Sequence, residues 1–172
     1  MNLLEMKHIS KSFGGVKALQ DVSLTVAKGE ICALMGENGA GKSTLMNILT
    51  GVISMDTGTI VFDGKTYDDP SINQMEKAGI SFVHQELNVI NDLMVYENIF
   101  LNREIKTKLG LLDSKKMIAE TQELFASLGV DIDPTEQVSD LKTSEKQLLE
   151  ICRALHMDAK LLILDEPTTS LS

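Results

Sequence analysis

Residues Gly36 to Ser43 read GENGAGKS and match the spacing G-x-x-x-x-G-K-[ST]. An apolar run, ICALM at 31–35, stands before them, and LMNILTG follows up to Gly51. Strand, glycine-rich loop and helix in that order make a cradle for phosphate. The loop turns its backbone N–H groups inward, glycines allow close approach, and the helix N-terminus adds positive potential. Lys42 brings a point charge to the β- and γ-phosphates, and the Ser43 hydroxyl can ligate Mg²⁺. A second run, LLILDEP from Leu161, ends an apolar strand in Asp165 and Glu166. A carboxylate at that place can hold the magnesium directly or through water, and its neighbour can orient or deprotonate an attacking water.

The elements that must position these groups follow from periodicity. LLEMKHISKSF, VSLTV (22–26), ICALM and GTIVFDG (58–64) read as strands, with Asp63-Gly64 as a turn. GISFVHQ (79–85) is a further short strand, and LLILDEP has the apolar character of a strand buried in a parallel sheet. From about Asn88 to Asp140 the pattern turns helical, with Met117, Thr121, Leu124, Phe125 and Leu128 on one face and Gly129 as the stop. In LKTSEKQLLEICRAL (141–155), Ser144 and Gln147 predict a capping box, followed by an apolar face of Leu148, Ile151, Cys152 and Leu155.

The chain's 172 residues, 43% of them hydrophobic, suffice for one sizeable core. A formal charge of −9 argues against a partner held through a phosphate backbone, so a soluble ATPase acting on nucleic acid fits poorly. The opening residues lack a signal-peptide core, and no apolar run approaches the ~20 residues of a membrane helix. Cys32 and Cys152 lie in apolar surroundings and read as small buried hydrophobes in a reducing, cytoplasmic setting. His8, His84 and His156 read as structural.

The order GENGAGKST, FVHQEL, LLILDEPTTSL resembles the ATPase subunit of ABC transporters along essentially the whole chain. GISFVHQELNVINDLMVYENIFLNRE and LFASLGVDIDP are similar, more narrowly, to bacterial monosaccharide importers of the ribose, galactose and xylose type, in their first ATPase half. The resemblance implies an α/β fold: a P-loop NTPase core with a mostly parallel sheet, an antiparallel β subdomain and a helical subdomain. Residues 1–87 and 156–172 would form the core with the β subdomain, and 88–155 the helical subdomain. It implies ATP and Mg²⁺ as ligands, with Phe13 against adenine and Gly36, Glu37, Asn38, Gly39, Ala40, Gly41, Lys42, Ser43 and Thr44 around the phosphates. The implied magnesium set is Ser43, Gln85 and Asp165, and the catalytic set is Glu166, Lys42 and Gln85, the last relaying nucleotide state to membrane subunits.

The same resemblance implies a head-to-tail dimer with a second ATPase half, transmembrane permease subunits, an extracytoplasmic sugar-binding protein and a place on the cytoplasmic face of the membrane. It also marks departures. The family's LSGGQ segment, which clamps the partner's γ-phosphate, is matched at Leu141, but Lys142 replaces its Ser, Thr143 and Ser144 its glycines, and Glu145 its Gln. A Cβ at Ser144 and a long ammonium at Lys142 change the geometry of that clamp. Residues 168–172, TTSLS, match the dimer-contacting loop with Ser172 in place of Asp. The family's switch histidine would lie beyond Ser172, so by family pattern the chain is a fragment. A nucleotide-binding scaffold or sensor without turnover is the alternative these departures favour.

Overall fold

A computed structural model describes residues 1–172 except Asn38, His84–Glu86 and Glu166–Ser172. The chain divides into two compact units, Met1–Ile80 and Ser81–Ser172.

The first unit is built on a four-stranded antiparallel sheet in the order β2-β1-β3-β4, from β1 (Asn2–Phe13), β2 (Val16–Ala27), β3 (Thr57–Phe62) and β4 (Lys65–Tyr67). Strand alternation sends Leu4 and Met6 to one face, and register places them across from Phe62 and Ile60. On the other side Leu4 faces Val26, so Val26, Leu4 and Phe62 form one buried row across three strands. The sequence anticipates β1, β3 and the Asp63-Gly64 turn; β2 begins six residues earlier than expected, and β4 is an addition.

Two helices complete this unit, α1 (Lys42–Leu49) and α2 (Ile72–Ala78). Thr50 and Gly51 close α1, Gly51 in the left-handed conformation that a C-terminal stop favours. The second helix is absent from the sequence reading although its start signal is plain: the Ser71 N–H donates to Gln74 Oε1 at 2.9 Å.

Residues 31–35 correct an expectation. ICALM forms no strand and is exposed, with Ile31 at 99% and Met35 at 88%. An apolar run becomes a parallel-sheet strand only where neighbouring strands meet both its edges, and among the described residues none pairs with it. Cys32 is consequently exposed rather than buried, whereas Cys152 is buried as expected and burial pushes its thiol up to about 11.

The second unit pairs β5 (Ile80–Val83) with β6 (Leu161–Leu164) and carries α3 (Val95–Ile99), α4 (Ser114–Leu128), a 3₁₀ turn (Val138–Asp140) and α5 (Thr143–His156). β6 is only partly covered, Leu164 being 40% exposed, where LLILDEP predicts a fully buried strand. Its apolar composition is the same in either case; what it lacks among the described residues is a second neighbour.

The core of this unit joins α3, α4 and α5 through Val95, Ile99, Met117, Phe125, Leu149 and Cys152. α4 ends at Gly129 as its sequence indicates, although Leu128 is 43% exposed at its last turn. The face of α5 is displaced from the expected one: Leu149 and Cys152 are buried, while Leu148 and Leu155 are exposed at 39% and 37%. The cap is displaced too. The helix begins at Thr143, with Glu145 Oε2 accepting the Lys142 N–H at 2.7 Å, rather than at a Ser144–Gln147 box. A carboxylate accepts that bond better than an amide, and the helix starts two residues earlier than the Ser144–Gln147 box predicts.

His156 sets its ring edge-on to Phe100 at 4.5 Å, a packing role. His8 is exposed, its Nδ1 2.7 Å from Asp21 Oδ1, where both residues take positive φ at irregularities of the β1–β2 ladder. His84 lies outside the described residues.

Asn98 organises the approach to α3. It is wholly buried; its Nδ2 donates to the carbonyls of Ile90 (3.0 Å) and Met94 (3.2 Å), and its Oδ1 accepts the Ile90 N–H at 2.8 Å. Backbone bonds from Val95 to Glu136 and from Val138 to Leu93 then tie residues 93–95 to 136–138. Asn98→Ala leaves three backbone groups without that partner and is expected to cost about 3 kcal/mol. Urea unfolding of the two proteins measures it; a loss below about 0.5 kcal/mol would show that water replaces the amide.

Candidate functional site: a phosphate loop and the segments that answer it

The candidate site begins at the C-terminal side of residues 31–35. Gly39 and Gly41 both take positive φ (85° and 89°), and Gly41 serves as N-cap of α1. The two glycines differ in surroundings. A Cβ on Gly39 meets nothing within 4 Å, whereas one on Gly41 would stand 2.7 Å from Leu19 Cδ2 and 2.8 Å from the Ala18 carbonyl. Gly41 therefore seats the loop directly on β2.

Lys42 is the first residue of α1, and its ammonium folds back over the loop, donating to the Gly36 carbonyl at 2.6 Å and the Glu37 carbonyl at 3.0 Å. The Ala40 N–H donates to Glu37 at 3.1 Å, closing a turn, and Leu45 N–H to Gly41 at 2.9 Å starts the helix. Ser43 and Thr44 follow within the first turn, where backbone N–H groups have no intrahelical acceptor.

The helix starts can be compared directly. Gln74 accepts from Ser71 N–H at α2, Glu97 from Met94 N–H at α3, Asp113 from Lys116 N–H at α4, and Glu145 from Lys142 N–H at α5. Among the described residues α1 alone has no such side-chain acceptor, and its first turn contains no acidic residue. Its positive end meets no acidic side chain within its own first turn. The arrangement fits a polyphosphate on chemical grounds: free amides, a lysine ready to exchange carbonyls for phosphate oxygens, and a hydroxyl at Ser43.

Phe13 ends β1 at 46% exposure, so it is no core residue, and Lys11 Nζ stands 5.5 Å from its ring centroid. In the second unit, Asp165 follows β6 with an exposed side chain, held by its N–H donating to the Val83 carbonyl at 3.1 Å. Asn38, Gln85, Glu166 and the 168–172 segment lie outside the described residues. Gly36–Thr44 and Phe13 thus belong to one unit and Asp165 to the other.

A clamp that periodicity does not reveal holds Asn88, three residues after Gln85 in sequence. Asn88 N–H donates to Glu150 Oε1 at 2.7 Å, and Arg153 Nη1 donates to the Asn88 carbonyl at 3.0 Å. Glu150 is 3% exposed, and Arg153 lies 3.8 Å from it as its ion partner. A glutamate at an inward position of α5, three residues before an arginine, is the signal that periodicity alone discards.

The sequence profile of ABC transporters matches residues 19–169. This chain belongs to the ABC transporter family. Its fold is that of the family's ATPases: an ATP-binding cassette of an ABC transporter, crystallised in its ADP conformation, superposes with a TM-score of 0.85 at 27% identity, covering 100% of this chain and 71% of that one. A nucleotide-free cassette gives 0.79 at 29% identity, covering 97% and 70%. In sequence, this ABC chain is 50% identical over 171 residues to the ribose import ATP-binding protein RbsA of Clostridium perfringens, covering 99% of this chain and 34% of that protein. RbsA of Lactococcus lactis is 48% identical over 169 residues, covering 98% and 34%. The chain spans about a third of the length of these relatives.

The two loop glycines supply a prediction. Gly39→Ala carries only the penalty of a left-handed non-glycine residue, about 1 kcal/mol, while Gly41→Ala adds a clash with backbone and should lose at least about twice that. Thermal unfolding of both variants tests the order; equal losses would show that Leu19 and Ala18 yield at no cost.

Proposed function

We propose that the chain binds MgATP at the 36–44 loop and hydrolyses it as part of an importer for ribose or a related sugar. The observation that carries this reading is the start of α1, the uncapped one among the described helices, with Lys42 folded over the loop that leads into it. The sequence likeness to ribose import proteins supports ribose or a related sugar as the cargo. Residues 1–87 with 156–172 act as the α/β core and 88–155 as the helical subdomain.

Within this reading Phe13 stacks on adenine, and residues Gly36 to Thr44 with Asn38 surround the phosphates. Ser43, Gln85 and Asp165 hold Mg²⁺, while Glu166 orients water. Mg²⁺ supplies charge neutralisation to the β- and γ-oxygens. No described helix is long and apolar enough to cross a membrane. In this reading, coupling to transport runs through a second ATPase half and permease subunits on the cytoplasmic face, supplied by an extracytoplasmic sugar-binding protein.

Titration calorimetry with MgATP tests the cradle. Lys42→Ala removes charged hydrogen bonds worth about 1.5–3 kcal/mol, so affinity should fall roughly ten- to a hundredfold. Turnover is tested separately with Glu166→Gln, which should abolish hydrolysis and leave binding intact. A folded chain without ATP binding would overturn the proposal.

A second reading, a nucleotide-binding scaffold without turnover, is favoured by one observation. At α5 the carboxylate of Glu145 occupies the helix start that the family uses for the partner's γ-phosphate. A phosphate there would meet a fixed negative charge. Glu145→Gln is expected to strengthen ATP-dependent association with a partner half several-fold, as read by analytical ultracentrifugation; unchanged association would show that the carboxylate does not oppose phosphate.

A further inference from the structure

The loop between α3 and α4 contains a feature that nucleotide binding does not use. Residues 105–113 form a short hairpin: Lys106 bridges Leu112, Thr107 N–H donates to Leu111 at 2.7 Å, and Gly110 N–H to Thr107 at 2.9 Å closes the turn. Its base is fixed. Ile105 packs against the core of the second unit, Asp113 N–H donates to the Ile105 carbonyl at 2.8 Å, and the Asp113 side chain caps α4.

Its tip has no such support. Leu109, Leu111 and Leu112 are exposed at 88%, 67% and 54%, three large apolar side chains within four residues. Contiguous exposed apolar groups of this kind mark a surface that is covered in use. The charge around them is distinctive. Between 103 and 116 stand Arg103, Lys106, Lys108, Lys115 and Lys116 against only Glu104 and Asp113, in a chain with 25 acidic and 16 basic residues.

We infer that this hairpin docks on an anionic lipid surface, its three leucines entering the interface and its lysines meeting the headgroups. Convex apolar groups flanked by cations match a fluid, negatively charged bilayer face. The acidity of the remaining chain strengthens the argument, because repulsion leaves this basic loop as the part that can approach such a surface. The phosphate loop belongs to the other unit, so lipid binding and nucleotide binding are separable.

The chain contains no Trp, so Leu111→Trp introduces a single reporter. Its emission should shift to shorter wavelength with phosphatidylcholine vesicles containing phosphatidylglycerol. It should not shift with phosphatidylcholine alone, and the shift should be lost at high salt or when Lys106→Glu and Lys108→Glu are added. Val16→Trp, at a 71% exposed position of the first unit, is the control and should not respond. An unmoved Leu111→Trp spectrum, or equal shifts with neutral vesicles or at the control position, would overturn the inference. Shifts seen only with solubilised membrane proteins would assign the hairpin to a protein partner and overturn it equally.

Discussion

The backbone contact at Gly41 is the constraint on which the candidate site depends. At that residue the loop turns left-handed, α1 begins, and the chain lies against Ala18 and Leu19 with no space for a Cβ. Any bulk there moves the first turn of α1 away from β2, and with it the amides of Lys42, Ser43 and Thr44. The antiparallel sheet therefore helps to shape the candidate phosphate loop. At the seat itself β2 is held by its pairing with β1, where Leu19 stands opposite Lys11 and is buried.

Among the described residues, α1 alone begins without a side-chain acceptor, which makes its start the candidate place for phosphate. A helix N-terminus attracts any anion within reach, including the protein's own side chains. Gln74, Glu97, Asp113 and Glu145 satisfy four of these ends internally. Position within the sequence decides the matter: each of these side chains lies within three residues of its cap, whereas Gly41 is followed by lysine, serine and threonine.

Much of this was legible in the sequence because the signals are local. The glycine spacing, the Asp63-Gly64 turn, the Gly129 stop and the length of α4 depend on residues a few positions apart. What could not be read depends on partners distant in sequence. ICALM has the composition of a buried strand, yet strand formation requires neighbouring edges that composition does not specify. The buried face of α5 is not set by periodicity alone: Leu149 and Cys152 overlap the stripe of Leu148, Ile151, Cys152 and Leu155, and packing against α3 and α4 selects them. The roles of Asn98 and Glu150 are not legible in the sequence, because the backbone groups they bond lie 8 and 62 residues away.

The grip of α5 on Asn88 has a mechanical side. Glu150 and Arg153 reach out from the same helix, about 4.5 Å apart along its axis, and hold the N–H and the carbonyl of one residue. Anchors on two successive peptide groups resist sliding as well as twisting of the chain at residue 88. A pull on the chain at Asn88 acts off the helix axis, so it reaches α5 as a torque. Residue 88 works as the pin of a crank, with a helix for its shaft.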